Sequence, residues 1–187
     1  MHAFLVSTAV IALAEIGDKT QILSLMLAAR FRRPVPIIFG ILLATIANHA
    51  AAALVGTLFG SFFAGPWMRW ILGASFLGVA VWALFPDRYE ESAGPIGRSG
   101  AFGATFVAFF LAEIGDKTQI ATIGLAARFE TFLPVVIGTT CGMMLANIPA
   151  VIIGDRIAGR LPVKAIRIAA AIVFATLGIL TLTGIGG

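Results

Sequence analysis

The nine residues AEIGDKTQI occupy positions 14–22 and return letter for letter at 112–120. Each copy lies in an otherwise uncharged run: Ala3 to Ala14 precede Glu15, and Ile22 to Ala29 follow the first motif. Glu15, Asp18 and Gln21, like Glu113, Asp116 and Gln119, are spaced by three. On a continuous helix that spacing puts each trio on one face as a ladder of oxygen donors. A charge at the centre of a bilayer costs about 2.5–3.5 kcal/mol on insertion scales, so the two ladders are expected to face each other or a wet cavity. Four carboxylates and two amide carbonyls in one small volume would make a site for a hard cation. Such oxygens suit Ca²⁺, Mg²⁺ and Mn²⁺, whereas Zn²⁺ and copper draw imidazole or thiolate, which the motif lacks. The motif leaves Mn²⁺ and Ca²⁺ both open. His49, Met143 and Met144 offer softer donors elsewhere in the apolar runs, with ordinary packing as the alternative for each.

Lys19 follows Glu15 by four residues, as Lys117 follows Glu113, which predicts an ion pair along each helix. With both lysines charged the site carries a net charge of minus two. One divalent cation or two protons match that charge, so the two would compete for the same carboxylates, which is the logic of antiport. Gly17 and Gly115 either loosen the helix between the acids or allow close helix packing. The hydroxyls of Thr20 and Thr118 are second-layer candidates, expected to bond the carbonyl one turn back rather than an ion. Asn48 and Asn147, the latter close to Pro149, are polar positions in mid-helix that fit interhelical hydrogen bonds or the lining of a pathway.

The elements that must hold these groups are membrane spans. Of 187 residues, 59% are hydrophobic and only 12% charged, and the mean hydropathy is +1.01. Soluble domains run at roughly 45–50% apolar. The net charge of +4 comes from basic residues placed singly or in small groups at the ends of apolar runs, which argues against a nucleic-acid partner and for topological anchoring. Cys141 is the single cysteine, so neither a disulfide nor a thiolate metal cluster can form within one chain. The N-terminal run MHAFLVSTAVIALA has no basic leader region and is expected to be a retained span.

Charge-poor runs over 3–29, 35–63, 67–85, 101–127, 133–154 and 165–186 predict an all-α integral membrane protein of six transmembrane helices. The polar stretch PDRYEESAGPIGRS, 86–99, reads as a linker between a three-helix repeat over 1–85 and a second over 100–187. A shift of 98 residues superposes the two motifs, Leu27 to Phe31 on Leu125 to Phe129, Pro36 on Pro134, Gly40 on Gly138 and Gly56 on Gly154. Three crossings per repeat invert the second copy, an arrangement typical of transporters. Arg30, Arg32, Arg33, Arg88, Arg98, Arg156, Arg160, Lys164 and Arg167 fall on one side and only Arg69 and Arg128 on the other, which places both termini outside the cytoplasm. Trp67, Trp70 and Trp82, near the ends of the third span, suit interfacial belts or plain packing.

Both EIGDKT copies match the Glu-φ-Gly-Asp-(Lys/Arg)-(Thr/Ser) pattern without departure, and the chain resembles that family of membrane cation exchangers over essentially its whole length. The family comprises bacterial manganese exporters and the related eukaryotic Golgi manganese and calcium transporter. The resemblance implies a six-helix fold like that of the lysine-exporter superfamily and Mn²⁺ or Ca²⁺ transport coupled to protons. It also implies metal binding by Glu15, Asp18, Glu113 and Asp116, no prosthetic group, and a bacterial inner membrane with Mn²⁺ moving outward. A passive divalent-cation channel and an intramembrane metal-dependent enzyme are the rival readings. The enzyme would want Arg, Ser or His beside the acids, where the motif has Ile, Gly and Gln. Oligomeric state is not legible.

Overall fold

The computed structural model describes residues 1–62, 67–85, 100–153 and 163–184. The expected linker over 86–99, and with it Arg88, Arg98, Arg156, Arg160 and Gly154, lies outside the described residues. Those residues form eight helices and no strands: α1 (His2–Glu15), α2 (Lys19–Phe31), α3 (Pro34–Phe62), α4 (Met68–Ala83), α5 (Gly100–Glu113), α6 (Lys117–Phe129), α7 (Leu133–Ile153) and α8 (Val163–Thr183). Helices α3 and α7 are each long and apolar enough to cross a membrane, while α1, α4, α5 and α8 contain shorter apolar helical runs.

Two of the expected continuous helices are broken, and the break falls in the repeated motif. The run over 3–29 is divided between α1 and α2, and the run over 101–127 between α5 and α6. The backbone leaves the helix at Ile16, which is extended, turns through Gly17 at φ +80° and re-enters at Asp18, extended again. Gly115 does the same at φ +75° ahead of an extended Asp116. A left-handed φ is open to glycine at little cost and penalised by roughly 1–2 kcal/mol in residues with a Cβ. A Cβ placed on Gly115 would meet nothing within 4 Å, so this glycine is required for its dihedral and not as a packing point.

The packing directions follow from close contacts. Gly40 of α3 lies against Phe102 and Thr105 of α5, and Gly56 lies so near α6 that an added Cβ would clash with the Ile123 carbonyl oxygen. Between them Asn48 donates to the Phe110 carbonyl at 3.1 Å. Helix α3 therefore runs parallel to α5 and then to α6. Helix α7 runs parallel to α1 in the same way, with Gly138 on Phe4 and Ser7 and Gly142 on Thr8 and Ile11. Helices α4 and α8 are antiparallel, Gly73 facing Gly178 and Leu182 while Gly178 faces Leu77.

The distribution of polarity inverts that of a soluble core. Leu5, Phe39, Leu111, Ile137, Leu145 and Ile172 are each more than half exposed, whereas Glu15, Asp18, Glu113, Asp116 and Lys117 are buried. An apolar exterior on this scale marks an interaction surface for other apolar matter. Under the polar centre, Val10, Ile11, Ala14, Ala53, Phe76, Ala121, Leu125 and Phe174 form one apolar cluster. A second, built around Ile37, Ile41 and Phe109, packs α3 against α5.

Candidate functional site

Both breaks are held by the motif's own side chains. Asp18 caps α2 by accepting from the Lys19 N–H, and Asp116 caps α6 by accepting from the Thr118 N–H at 3.5 Å. Gln21 Oε1 accepts from the Gly17 N–H at 2.8 Å, and Gln119 Oε1 accepts from Gly115 at the same distance. An acid at the N-cap with glutamine three residues later is the sequence signature of a helix start. The letters DKTQ carried that signal, and the surrounding hydropathy masked it. The expected oxygen ladder is corrected accordingly. Glu15 ends one helix, Asp18 caps the start of another, and each glutamine carbonyl accepts from the backbone of its turn. The Gln21 amide also donates to Ala146 O at 3.1 Å, tying α2 to α7.

The expectation for the lysines was an ion pair along each helix, and the ion pairs run between the motifs. Lys117 Nζ lies 2.6 Å from Asp18 Oδ2, and Lys19 Nζ lies 2.8 Å from Asp116 Oδ1. Each motif's lysine neutralises the other motif's aspartate, a reciprocal exchange between the two breaks. Buried charges persist when they are paired in this way.

The threonines also depart from expectation. Thr20 and Thr118 lie within the first two residues of α2 and α6, where no helical carbonyl stands one turn back, and their hydroxyls cross the break instead. Thr20 Oγ1 donates to Glu15 Oε2, and Thr118 Oγ1 to Glu113 Oε2 at 3.1 Å, with Asp116 Oδ2 also within 3.2 Å. Glu15 Oε1 and Glu113 Oε1 are buried with no hydrogen-bond partner among the described residues. Carboxylate oxygens of Glu15, Glu113 and Asp116 all lie within 4.8 Å of one another. Asp18 of the first motif is tied to the second by its ion pair with Lys117. Asn147 accepts from Ser24 Oγ at 2.7 Å and donates to Met143 O at 3.1 Å, so it serves as an interhelical tie. Asn48 serves as another, through Phe110.

Unpaired buried carboxylate oxygens, converging from two helix breaks and backed by hydroxyl donors, can exchange a hard cation for protons. The family model for the divalent cation/proton antiporter GDT1 matches residues 3–91 and 101–185. The chain belongs to this family. It is a family of transporters and not of enzymes. A "Putative manganese exporter" of Vibrio cholerae serotype O1 is 48% identical over 184 residues, covering 97% of this chain and 90% of that protein. GDT1-like protein 5 of Arabidopsis thaliana is 27% identical over 97% of this chain and 96% of its own length. A GDT1-like protein of Synechocystis is 26% identical over 93% of each. No solved structure matches the chain.

Proposed function

We propose that this antiporter exchanges one divalent cation, Mn²⁺ foremost and Ca²⁺ second, for two protons at the site formed by Glu15, Asp18, Glu113 and Asp116. The observation that carries the reading is the partition of charge. Lys117 answers Asp18 and Lys19 answers Asp116, so the uncompensated charge falls on Glu15 and Glu113, each with one bare oxygen. Two carboxylates take up one divalent cation or two protons. The aspartates orient the break and complete the oxygen set, Thr20 and Thr118 hold the glutamates in place, and Gln21 and Gln119 maintain the turn.

The chain crosses the membrane six times as two inverted three-helix repeats, with α1–α2 and α5–α6 as broken first spans. The parallel courses of α3 with α5–α6 and of α7 with α1, and the antiparallel course of α4 with α8, support that topology, as do the equal lengths of the paired half-helices. Lys and Arg placement supports a cell inner membrane with both termini outside the cytoplasm. Mn²⁺ then leaves the cytoplasm as protons enter, a direction supported by the similarity to the "Putative manganese exporter" of Vibrio cholerae. Purified protein in liposomes, with Mn²⁺ or Ca²⁺ movement followed beside an internal pH dye, tests substrate and coupling together. A passive channel would move the metal only downhill, and a pH gradient would not drive it.

A further inference from the structure

We propose that Lys19 is a tethered stand-in for the transported cation: its ammonium holds Asp116 between cargoes and swings out toward water when a divalent cation takes that carboxylate. The inference rests on the exchange reading above and gives the two lysines of the repeat different tasks.

Asp116 stands in two arrangements at once. Its carboxylate is one of the three, with Glu15 and Glu113, whose oxygens lie within 4.8 Å of one another. Its Oδ2 lies 3.2 Å from Thr118 Oγ1, the hydroxyl that reaches Glu113 Oε2 at 3.1 Å. Its Oδ1 lies 2.8 Å from Nζ of Lys19, which comes from the other motif. The ammonium therefore sits at the edge of the converging group, bound to one of its members. A cation held by the three acids and an ammonium on Asp116 would be like charges a few ångströms apart in a buried setting, where water does little to weaken their repulsion.

The two lysines differ in their freedom to leave. Both paired aspartate side chains are 0% exposed, yet the Lys19 side chain is 22% exposed and that of Lys117 only 5%. Lysine carries a compact charge on a flexible four-carbon stem, so Lys19 gains water by a change of rotamer while the backbone of α2 stays in place. Lys117, walled in, remains on Asp18. A buried carboxylate stripped of its counter-charge is strongly unfavourable, and Lys19 spares Asp116 that state between one cation and the next. Arrival of the metal replaces a singly charged group by a doubly charged ion and adds a third carboxylate to Glu15 and Glu113, in keeping with the many oxygens that hard divalent cations take. Return of the tether then competes with the bound ion and favours its release.

The chain has three lysines, Lys19, Lys117 and Lys164, and Lys164 is exposed. Reductive methylation of the detergent-solubilised wild-type protein, read at each lysine by mass spectrometry with and without saturating Mn²⁺, follows all three together. Lys164 is expected to react fast and Lys117 slowly in both conditions, while Mn²⁺ speeds the reaction of Lys19 severalfold. Lys19→Gln removes the competitor and is expected to tighten Mn²⁺ binding, followed by loss of the free-ion electron paramagnetic resonance signal, by roughly tenfold, the factor recovered when a competing state held by about nine molecules in ten is abolished. Methylation of Lys19 that Mn²⁺ slows or leaves unchanged overturns the proposal. So does a folded Lys19→Gln variant that binds Mn²⁺ no more tightly than wild type, or more weakly, as loss of a merely structural prop for Asp116 would make it. Should Lys19→Gln not fold, the wild-type labelling decides alone. Release of Lys19 by Mn²⁺ without proton-linked flux in liposomes would sink the exchange reading and leave the stand-in role, and coupled flux with Lys19 unmoved would do the reverse.

Discussion

Lys117→Met should be among the most destabilising single changes in this chain, and Asp18→Asn should rescue it. Lys117 is 4% exposed, Asp18 2%, and their charged atoms are 2.6 Å apart. Removing the lysine strips a buried carboxylate of this partner, a loss of about 3–5 kcal/mol when a buried pair is broken from one side. For a chain of this size that corresponds to roughly 6–20 °C in melting temperature. The other pair should matter less, because the Lys19 side chain is 22% exposed and solvent screens it. The assay is thermal unfolding in detergent for Lys117→Met, Lys19→Met, Asp18→Asn and the double variant Lys117→Met with Asp18→Asn. The expected order places Lys117→Met lowest and the double variant well above it. Were Glu113→Gln, rather than Asp18→Asn, to restore Lys117→Met, the pairing would run along one helix and the reciprocal exchange would be wrong.

Gly115→Ala should lower stability by about 1–2 kcal/mol through its φ alone, whereas Gly56→Ala should act by forcing α3 off the Ile123 backbone carbonyl of α6, at about 1–3 kcal/mol; melting curves of the two variants measure both costs. Gln21→Ala removes a turn-holding acceptor and should cost about 0.5–2 kcal/mol while leaving half-saturation for Mn²⁺ within twofold of wild type; a large rise in half-saturation at unchanged stability would make the glutamine a ligand. Thr118→Val deletes the hydroxyl that holds Glu113 and should weaken Mn²⁺ affinity roughly tenfold, measured by Mn²⁺ titration, with little change in melting temperature.

The composition and the 98-residue return of AEIGDKTQI pointed to the acids and to the apolar runs that carry them, and the structure brings carboxylates of Glu15, Glu113 and Asp116 together. The loosening at Gly17 and Gly115 was one of two readings and is the one the structure takes, but the full break was not read, because hydropathy cannot tell one long helix from two short ones end to end. The decisive letters were Gly17 and Gly115 with the DKTQ start signal behind each. Once the helix is taken as continuous, the spacing rule pairs Lys19 with Glu15 and aligns Gln21 with Asp18, and both assignments go astray together. The Lys117 to Asp18 link is a contact between residues 99 apart in sequence, which no spacing along one helix reports. His49 was visible as a softer donor, and the structure keeps it buried while the converging group holds Glu15, Glu113 and Asp116 without it.

The central claim is that Glu15 and Glu113 together trade one divalent cation for two protons. Its most direct test is the simultaneous measurement of Mn²⁺ and proton flux in liposomes under an imposed pH gradient, for wild type, Glu15→Gln and Glu113→Gln. The account predicts uphill Mn²⁺ movement with two protons per ion in the wild type, and loss of coupled exchange in each variant. Mn²⁺ flux without proton movement, or full exchange surviving either substitution, would contradict it.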